Sequence, residues 1–297
     1  MNKKNIGKAI LLFIGGLLLI LIIWAFVEPS TYDREEYVVN LPNLDPSWYG
    51  RKVAVIADFQ VGMWLDNVGT IRRIIDNIVE ESPDIVVILG DFIYHGGERA
   101  PKRIQTAAGL VKPLTDAGLP VFAVLGNHDY SVSEYNPAKI NYQRADNLTS
   151  ALEKFGVTVL KNESVLVDGH LYIVGIGAHM IRNDIPEQAF AGVPDDAPRL
   201  VLMHNPTTLG KISAGKAPLS FAGHTHGGQI RLPGTPHWSM MTFFKEEEVH
   251  ADGWIEDYGA RGNRLYVNRG IGMSIMPIRI NCPPELTVLT FGEEQGE

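Results

Sequence analysis

Val53-Ala54-Val55-Ile56-Ala57-Asp58 is a run of five apolar residues that stops at a carboxylate. The pattern recurs. Residues 85–89 precede Gly90-Asp91, residues 121–125 precede Gly126-Asn127-His128, residues 200–203 precede His204, and residues 219–222 precede Gly223-His224-Thr225-His226. Uninterrupted runs this short, rich in Val, Ile and Leu, read as strands buried on both faces. In an open α/β sheet, ligands gather outside the carboxyl ends of such strands. Five strands therefore aim two Asp, one Asn and four His at one place.

Between the first two runs, Ile71, Ile74, Ile75, Ile78 and Val79 follow helical spacing and Pro83 marks the end, which makes a β-α-β unit. A second helix is expected over 101–117, with Pro101 near its first turn and Gly118 past its end, shortened or kinked by Pro113. A third covers 147–155, where Leu148, Leu152 and Phe155 share a face and Gly156 supplies the stop. The grammar then changes to short strands at 157–160, 164–167 and 171–176, the last two joined by Asp168-Gly169, a hairpin signal. Residues 264–268 and 285–291 add strands, and 36–41 reads as an edge strand. Residues 233–262, with the solvated charge run Lys245-Glu246-Glu247-Glu248, have weak period and read as a surface excursion. The expected fold class is α/β: two packed mixed β-sheets flanked by helices, an α-β-β-α sandwich.

The 297 residues leave room for one large domain or two small ones, and 45% hydrophobic content suits a globular core. With 26 Lys+Arg against 34 Asp+Glu the net charge is −8, which disfavours DNA or RNA as the main partner. A single cysteine, Cys282, excludes an internal disulfide and assigns no compartment.

The amino terminus does assign one. Residues 9–27 carry no charge, and as a helix they span roughly 28 Å, close to the hydrocarbon thickness of a bilayer. Lys3, Lys4 and Lys8 precede this stretch, and Glu28, Asp33, Glu35 and Glu36 follow it. The positive-inside rule then places residues 1–8 in the cytoplasm and everything after Pro29 outside, on a single-pass cell-membrane anchor. A cleaved signal peptide fits less well, because Trp24, Phe26 and Val27 crowd the end of the run where small residues are required. The expected organisation is a basic start at 1–8, a transmembrane helix at 9–27, a tether with an edge strand at 28–50, and a catalytic domain at 51–297.

Carboxylate, imidazole and amide oxygen hold divalent metals, and two such ions about 4 Å apart form a clamp for phosphoryl transfer. Asp58, Asp91, Asn127, His204, His224 and His226 offer that donor set, with His128 left to move protons. Taken singly, each has a structural explanation: Gly126-Asn127-His128-Asp129 as a turn, Asp58 and Asp91 as helix caps, His204 as a core histidine. In this order, each after an apolar run, coincidence is a poor account.

The series Asp58, Gly90-Asp91, Gly126-Asn127-His128-Asp129, His204 and Gly223-His224-Thr225-His226 resembles the calcineurin-like metallophosphoesterase superfamily, over about residues 52–291. Gly227-Gly228-Gln229, Arg269-Gly270-Ile271-Gly272 and Pro283-Pro284-Glu285 are similar to its bacterial membrane-associated branch, that of YkuE and YaeI. The resemblance implies that Asp91 bridges two ions, with Asp58 and His226 on the first and Asn127, His204 and His224 on the second. It also implies in-line attack on phosphorus by a bridging hydroxide, with His128 stabilising the phosphoryl oxygens or protonating the leaving alkoxide.

One position departs from that pattern. The family's first motif is usually Asp-x-His, and here it is Asp58-Phe59-Gln60. An amide offers only a neutral carbonyl oxygen, so a weaker first site is expected, leaning to manganese or magnesium over zinc or iron. Gln60 either ligates in this way or leaves one permanent ion. Of the remaining histidines, His95, His170, His179, His237 and His250 read as surface or hydrogen-bonded residues, His95 being the exception nearest Asp91. Arg231, Arg269 and Arg279 are candidate phosphate grips, and Met63, Phe59 and Trp64 a candidate apolar wall.

The sequence therefore predicts a membrane-anchored phosphohydrolase with two divalent metals, acting on a phosphodiester or lipid-linked phosphate. A phosphomonoesterase of small metabolites, a catalytically impaired metal-binding scaffold, a nuclease and a protein phosphatase are the rivals. Oligomeric state is not legible.

Overall fold

The computed structural model describes residues 3–94, 97–133, 140–232, 251–255 and 258–293, with side chains from residue 5. Among these, the apolar runs become the centre of two mixed six-stranded sheets. The first contains β1 (Asp33–Val39), β2 (Lys52–Ile56), β3 (Ile85–Ile88), β4 (Val121–Ala123), β5 (Thr158–Val159) and β12 (Glu285–Phe291), in the order β1-β12-β2-β3-β4-β5. The second contains β6 (Glu163–Val167), β7 (Leu171–Gly175), β8 (Arg199–Leu202), β9 (Ser220–Ala222), β10 (Gly253–Ile255) and β11 (Leu265–Val267), in the order β10-β11-β9-β8-β7-β6. Strands β2, β3 and β4 run parallel, as do β7, β8 and β9. Their carboxyl ends share an edge of each sheet.

Side chains alternate across a strand, and here both faces are apolar. Val53, Val55, Ile85, Val87 and Phe122 point between the sheets and meet Leu171, Ile173, Leu200, Leu202 and Phe221. Ala54, Ile56, Val86 and Ile88 point the other way, onto Ile71, Ile74, Ile75 and Ile78 of α2 (Val68–Glu81) and Ala107, Ala108, Val111 and Leu114 of α3 (Ala100–Asp116). α4 (Tyr142–Glu153) joins this layer through Leu148 and Leu152. The outer face of the second sheet is covered by shorter pieces: α5 (Pro186–Ala189), contributing Ala189, and a 3-10 segment followed by Ile212. This is the expected layered α/β architecture. Each fully buried Ile of α2 contributes about 1.5–3 kcal/mol over leaving it in water.

Two expectations change. Pro113 lies inside α3 and neither ends nor shortens it. Its missing N–H removes the helical bond to the Gly109 carbonyl, but both residues are exposed, which leaves that carbonyl open to solvent. Residues 233–250, with Lys245-Glu246-Glu247-Glu248, lie outside the described residues, as do His95, His237 and His250. The end of that stretch is edge strand β10, held by the antiparallel pairing of Trp254 with Tyr266.

The amino-terminal run forms one helix, α1 (Lys3–Val27), about 38 Å long at 1.5 Å per residue, long and apolar enough to cross a membrane. Its apolar side chains are exposed along nearly its whole length. The residues after it are tied down. The Glu28 carboxylate is buried and accepts from the backbone N–H of Asn281 at 2.8 Å and of Cys282. Ala25 O accepts from Arg279 N at 3.1 Å, and Pro29 O from Thr70 Oγ1 at 3.0 Å. The expected edge strand is β1, three residues earlier than 36–41, paired in parallel with β12. Leu41, Leu44 and Trp48 then enter the core between the sheets.

Candidate metal centre

Each parallel strand ends where the chain must turn sharply, and the polar residues sit on those turns. Asp58, Gln60, Asp91, His224 and His226 have φ of 54°, 51°, 54°, 73° and 51°. Left-handed backbone is costly for non-glycine residues and concentrates at functional sites. The turns also need glycine where two loops touch. A Cβ on Gly126 would fall 2.1 Å from Asp91 Oδ1, and one on Gly270, at φ +65°, would fall 2.6 Å from Asp58 Cβ.

This crowding brings scattered side chains into two groups that share one carboxylate. Ligating atoms of Asp91, His204 and His224 lie within 4.8 Å of one another, and so do those of Asp58, Asp91 and His226. His204 Nε2 is 3.2 Å from Asp91 Oδ2, and its Nδ1 donates to Leu89 O at 2.7 Å, which fixes Nε2 toward the site. His224 Nδ1 lies 3.2 Å from that same Nε2, and His224 N donates to Asp58 Oδ2 at 3.0 Å. His226 turns Nδ1 to Gly272 O at 3.4 Å and holds Nε2 4.0 Å from Asp58 Oδ1. Gln60 Nε2 is 2.8 Å from Asp91 Oδ2 and 3.4 Å from His226 Nε2. Asn127 Nδ2 donates to Val132 O at 2.8 Å.

Burial sets the charge states in the absence of cations. It pushes Asp58 up to about 7, with the Asp91 charge adding to the rise. Asp91 is equally buried, yet the imidazoles of His204, His128 and His224 hold it well below the usual carboxylate range. Burial works against protonated His204, and the Asp91 carboxylate overrides it and raises that group to about 9. Burial, with Arg279 beside it, lowers His226 to about 3. Three buried carboxylates at one spot, counting Asp129, are a site built to receive positive charge.

The family model of calcineurin-like phosphoesterases matches residues 51–228. The chain belongs to this family, and is a metal-dependent phosphoric ester hydrolase by membership. The phosphodiesterase YaeI of Escherichia coli is 30% identical, over 71% of this chain and 71% of its own length. The UDP-2,3-diacylglucosamine pyrophosphatase LpxG of Chlamydia trachomatis is 26% identical, over 90% of this chain and 92% of its own. The metallophosphoesterase YkuE of Bacillus subtilis is 26% identical, over 90% and 87%.

The family's divalent ions fit this donor set on the chain's own terms. Gln60 Oε1 and Asn127 Oδ1 are buried with no hydrogen-bond partner. A buried carbonyl without a partner costs about 1–3 kcal/mol, and a cation beside each amide would remove that cost. Gln60 stands where the family usually has histidine, and its amide faces the site all the same.

Further residues that serve the site carry weaker sequence signals. Asp129, which the sequence marks only as the end of the Gly126-Asn127-His128-Asp129 turn, accepts from Asp91 N, Gly126 N and Ile93 N at 2.9, 2.9 and 3.2 Å and so locks two site loops together. Tyr94 stacks on His128 with centroids 4.9 Å apart, and its carbonyl lies 3.0 Å from His128 Nδ1. No sequence motif marked it. The three candidate phosphate grips are engaged elsewhere. Arg279 is fully buried and donates to the carbonyls of Arg269, Gly270, Gly272, His226 and Cys282. Arg269 pairs with Glu35 and Glu285, and Arg231 with Asp252. Of the candidate wall, Phe59 and Met63 are buried and only Trp64 is exposed. His170 lies beside Asp45, and His179 Nδ1 is 2.6 Å from Asp184.

Proposed function

We propose that this chain is a membrane-anchored hydrolase that uses two divalent ions, manganese foremost, to cleave a phosphodiester or diphosphate link in a substrate presented at the outer face of the membrane. The observation that carries the reading is the shared Asp91: one buried carboxylate within reach of both donor groups. Asp58, Gln60 and His226 would hold the first ion with Asp91, and Asn127, His204 and His224 the second. When bound, the ions supply Lewis acidity, neutralising charge on the phosphoryl oxygens and acidifying the attacking water. The protein's own part is positioning and proton transfer. Leu89 O and Gly272 O set the tautomers of His204 and His226, and Asp129 holds the Asp91 loop against the Asn127 loop. His128 has Nδ1 engaged by Tyr94 O, so proton delivery to the leaving oxygen falls to Nε2.

The substrate class is supported by two relatives named for internal phosphate links, a phosphodiesterase and a nucleotide-sugar-lipid pyrophosphatase. Anchoring is supported by α1 and by the lysines at its start, which favour a cytoplasmic amino terminus and a catalytic domain outside.

The test uses the full chain in detergent with bis-p-nitrophenyl phosphate and Mn²⁺. Hydrolysis is expected, with Asp91→Asn lowering it by at least about a thousandfold, since a loss of roughly 4 kcal/mol of charge stabilisation gives that factor. Wild-type protein that retains metal but hydrolyses no phosphoester would favour the scaffold reading instead.

A further inference from the structure

Two loops beside the site expose large apolar side chains. Trp64 and Leu65 are 64% and 59% exposed, and Ile275 is 48% exposed. Leu65 and Ile275 adopt φ of 67° and 65°, a region that bulky and β-branched residues rarely enter. Strain of this kind persists only where the surroundings impose it.

Both loops belong to the site. Gly272 N donates to Asp58 O at 2.6 Å and Asn67 Nδ2 to Ile271 O at 2.8 Å, which ties the segment carrying Ile275 to the one carrying Trp64 and Leu65. Ile275 N donates to Tyr94 Oη at 3.1 Å, and the Tyr94 ring stacks on His128. The same segment continues to Arg279, whose N–H bonds Ala25 O inside the last turn of α1. Four residues reach at most about 14 Å and the hydrogen bond adds roughly 5 Å, so Ile275 lies within about 20 Å of Ala25 in the last turn of α1. Ala25 is buried although it belongs to the apolar run. The body therefore packs against the last turn of the helix.

We propose that the loops carrying Trp64, Leu65 and Ile275 dock into the interfacial layer of the lipid bilayer that anchors α1, so that the metal centre opens at the level of the lipid headgroups. This inference rests on the anchored-hydrolase reading above and specifies where that enzyme meets its substrate. Tryptophan favours that interfacial layer, with its ring among headgroups and upper acyl chains, and Leu65 and Ile275 add apolar surface that water penalises. Arg73, which donates to Ser30 O just past the helix, adds a cation at headgroup level.

The experiment places the full chain in phosphatidylcholine nanodiscs, with and without lipid brominated near the top of its acyl chains. Subtracting the emission of Trp64→Phe isolates Trp64 from the other tryptophans. Docking predicts a roughly twofold or greater loss of that emission with brominated lipid and little quenching by aqueous iodide. Emission quenched by iodide and indifferent to bromine overturns the proposal, and so does emission shielded from both, which reports burial against protein. Hydrolysis of bis-p-nitrophenyl phosphate by the same wild-type nanodiscs separates the two readings. Activity with Trp64 unquenched by bromine defeats the docking alone, whereas bromine quenching without activity defeats the phosphoesterase reading and keeps the docking.

Discussion

Gln60 Nε2 stands 2.8 Å from Asp91 Oδ2, so the amide that replaces a family histidine donates to the carboxylate shared by both donor groups. Its oxygen is left buried without a partner. A neutral amide oxygen is a weaker and harder donor than imidazole. Gln60→His is therefore expected to retain more metal through dialysis, on the order of tenfold tighter, and to shift selectivity from manganese toward zinc. Mass spectrometry of the bound metals reads both effects. Occupancy and selectivity equal to wild type would refute the assignment of Gln60 to an ion.

Gly126 has no room for a methyl group. Its Cβ would sit 2.1 Å from Asp91 Oδ1 and 2.7 Å from Asp91 N, and the backbone atom cannot swing aside as a flexible side chain would. Gly126→Ala is expected to displace Asp91 and cost about 1–3 kcal/mol of stability, with weaker metal retention. Thermal melting with and without Mn²⁺ checks this. A variant that melts and binds metal like wild type would show that the loops yield more freely than their contacts suggest.

Strand ends were legible because burial on both faces leaves a sequence signal: Val53 to Ala57 and Ile85 to Leu89 are continuous, and a polar residue after such a run stands out. The same logic brought Asp58, Asp91, Asn127, His204, His224 and His226 to one place. Tyr94 was not legible, because stacking on His128 depends on how two loops meet and leaves no periodic trace. Arg279 misled for a related reason. A guanidinium in a glycine-rich loop looks the same whether it faces an anion or five backbone carbonyls, and only packing decides. Residues 28–50 read as a tether because three prolines break every period, whereas their attachment comes from the buried Glu28 carboxylate and from β1 adding to an edge.

His128, the residue proposed to deliver the proton, has its ring orientation fixed on two sides, by the contact of Nδ1 with the Tyr94 carbonyl and by the stack on the Tyr94 ring. His128→Ala should leave metal content unchanged and lower kcat by about 10²–10⁴, the range typical of general acid catalysis. The loss should depend on the leaving group. An alkyl phosphodiester needs a proton on its departing oxygen and should suffer most, while a nitrophenyl ester leaves well as the anion and should suffer least. Equal losses on both substrates would reassign His128 to stabilising the phosphoryl oxygens alone.

Away from the site, Glu81 links α2 to the first sheet and gives the fold a pH dependence. Arg34 of β1 reaches it with two bonds, 2.6 and 2.7 Å long, and Lys52 of β2 adds a third at 2.9 Å. The hydrogen bond from Arg34 is the largest cause of the shift, and Glu81 is lowered from 4.5 to about 2. A carboxylate with a depressed folded pKa stabilises fully above its unfolded pKa and loses that contribution as pH falls toward the folded one. Glu81→Gln should therefore melt below wild type at neutral pH, by the equivalent of about 0.5–1 kcal/mol for a partly exposed network. The gap should begin to close below about pH 5 and vanish below about pH 2, where the wild-type carboxyl is itself mostly protonated. Melting curves of both proteins across that interval, at low and high salt, decide the matter: a gap independent of pH would mean that Glu81 acts through packing, and the ion network would then contribute nothing to stability.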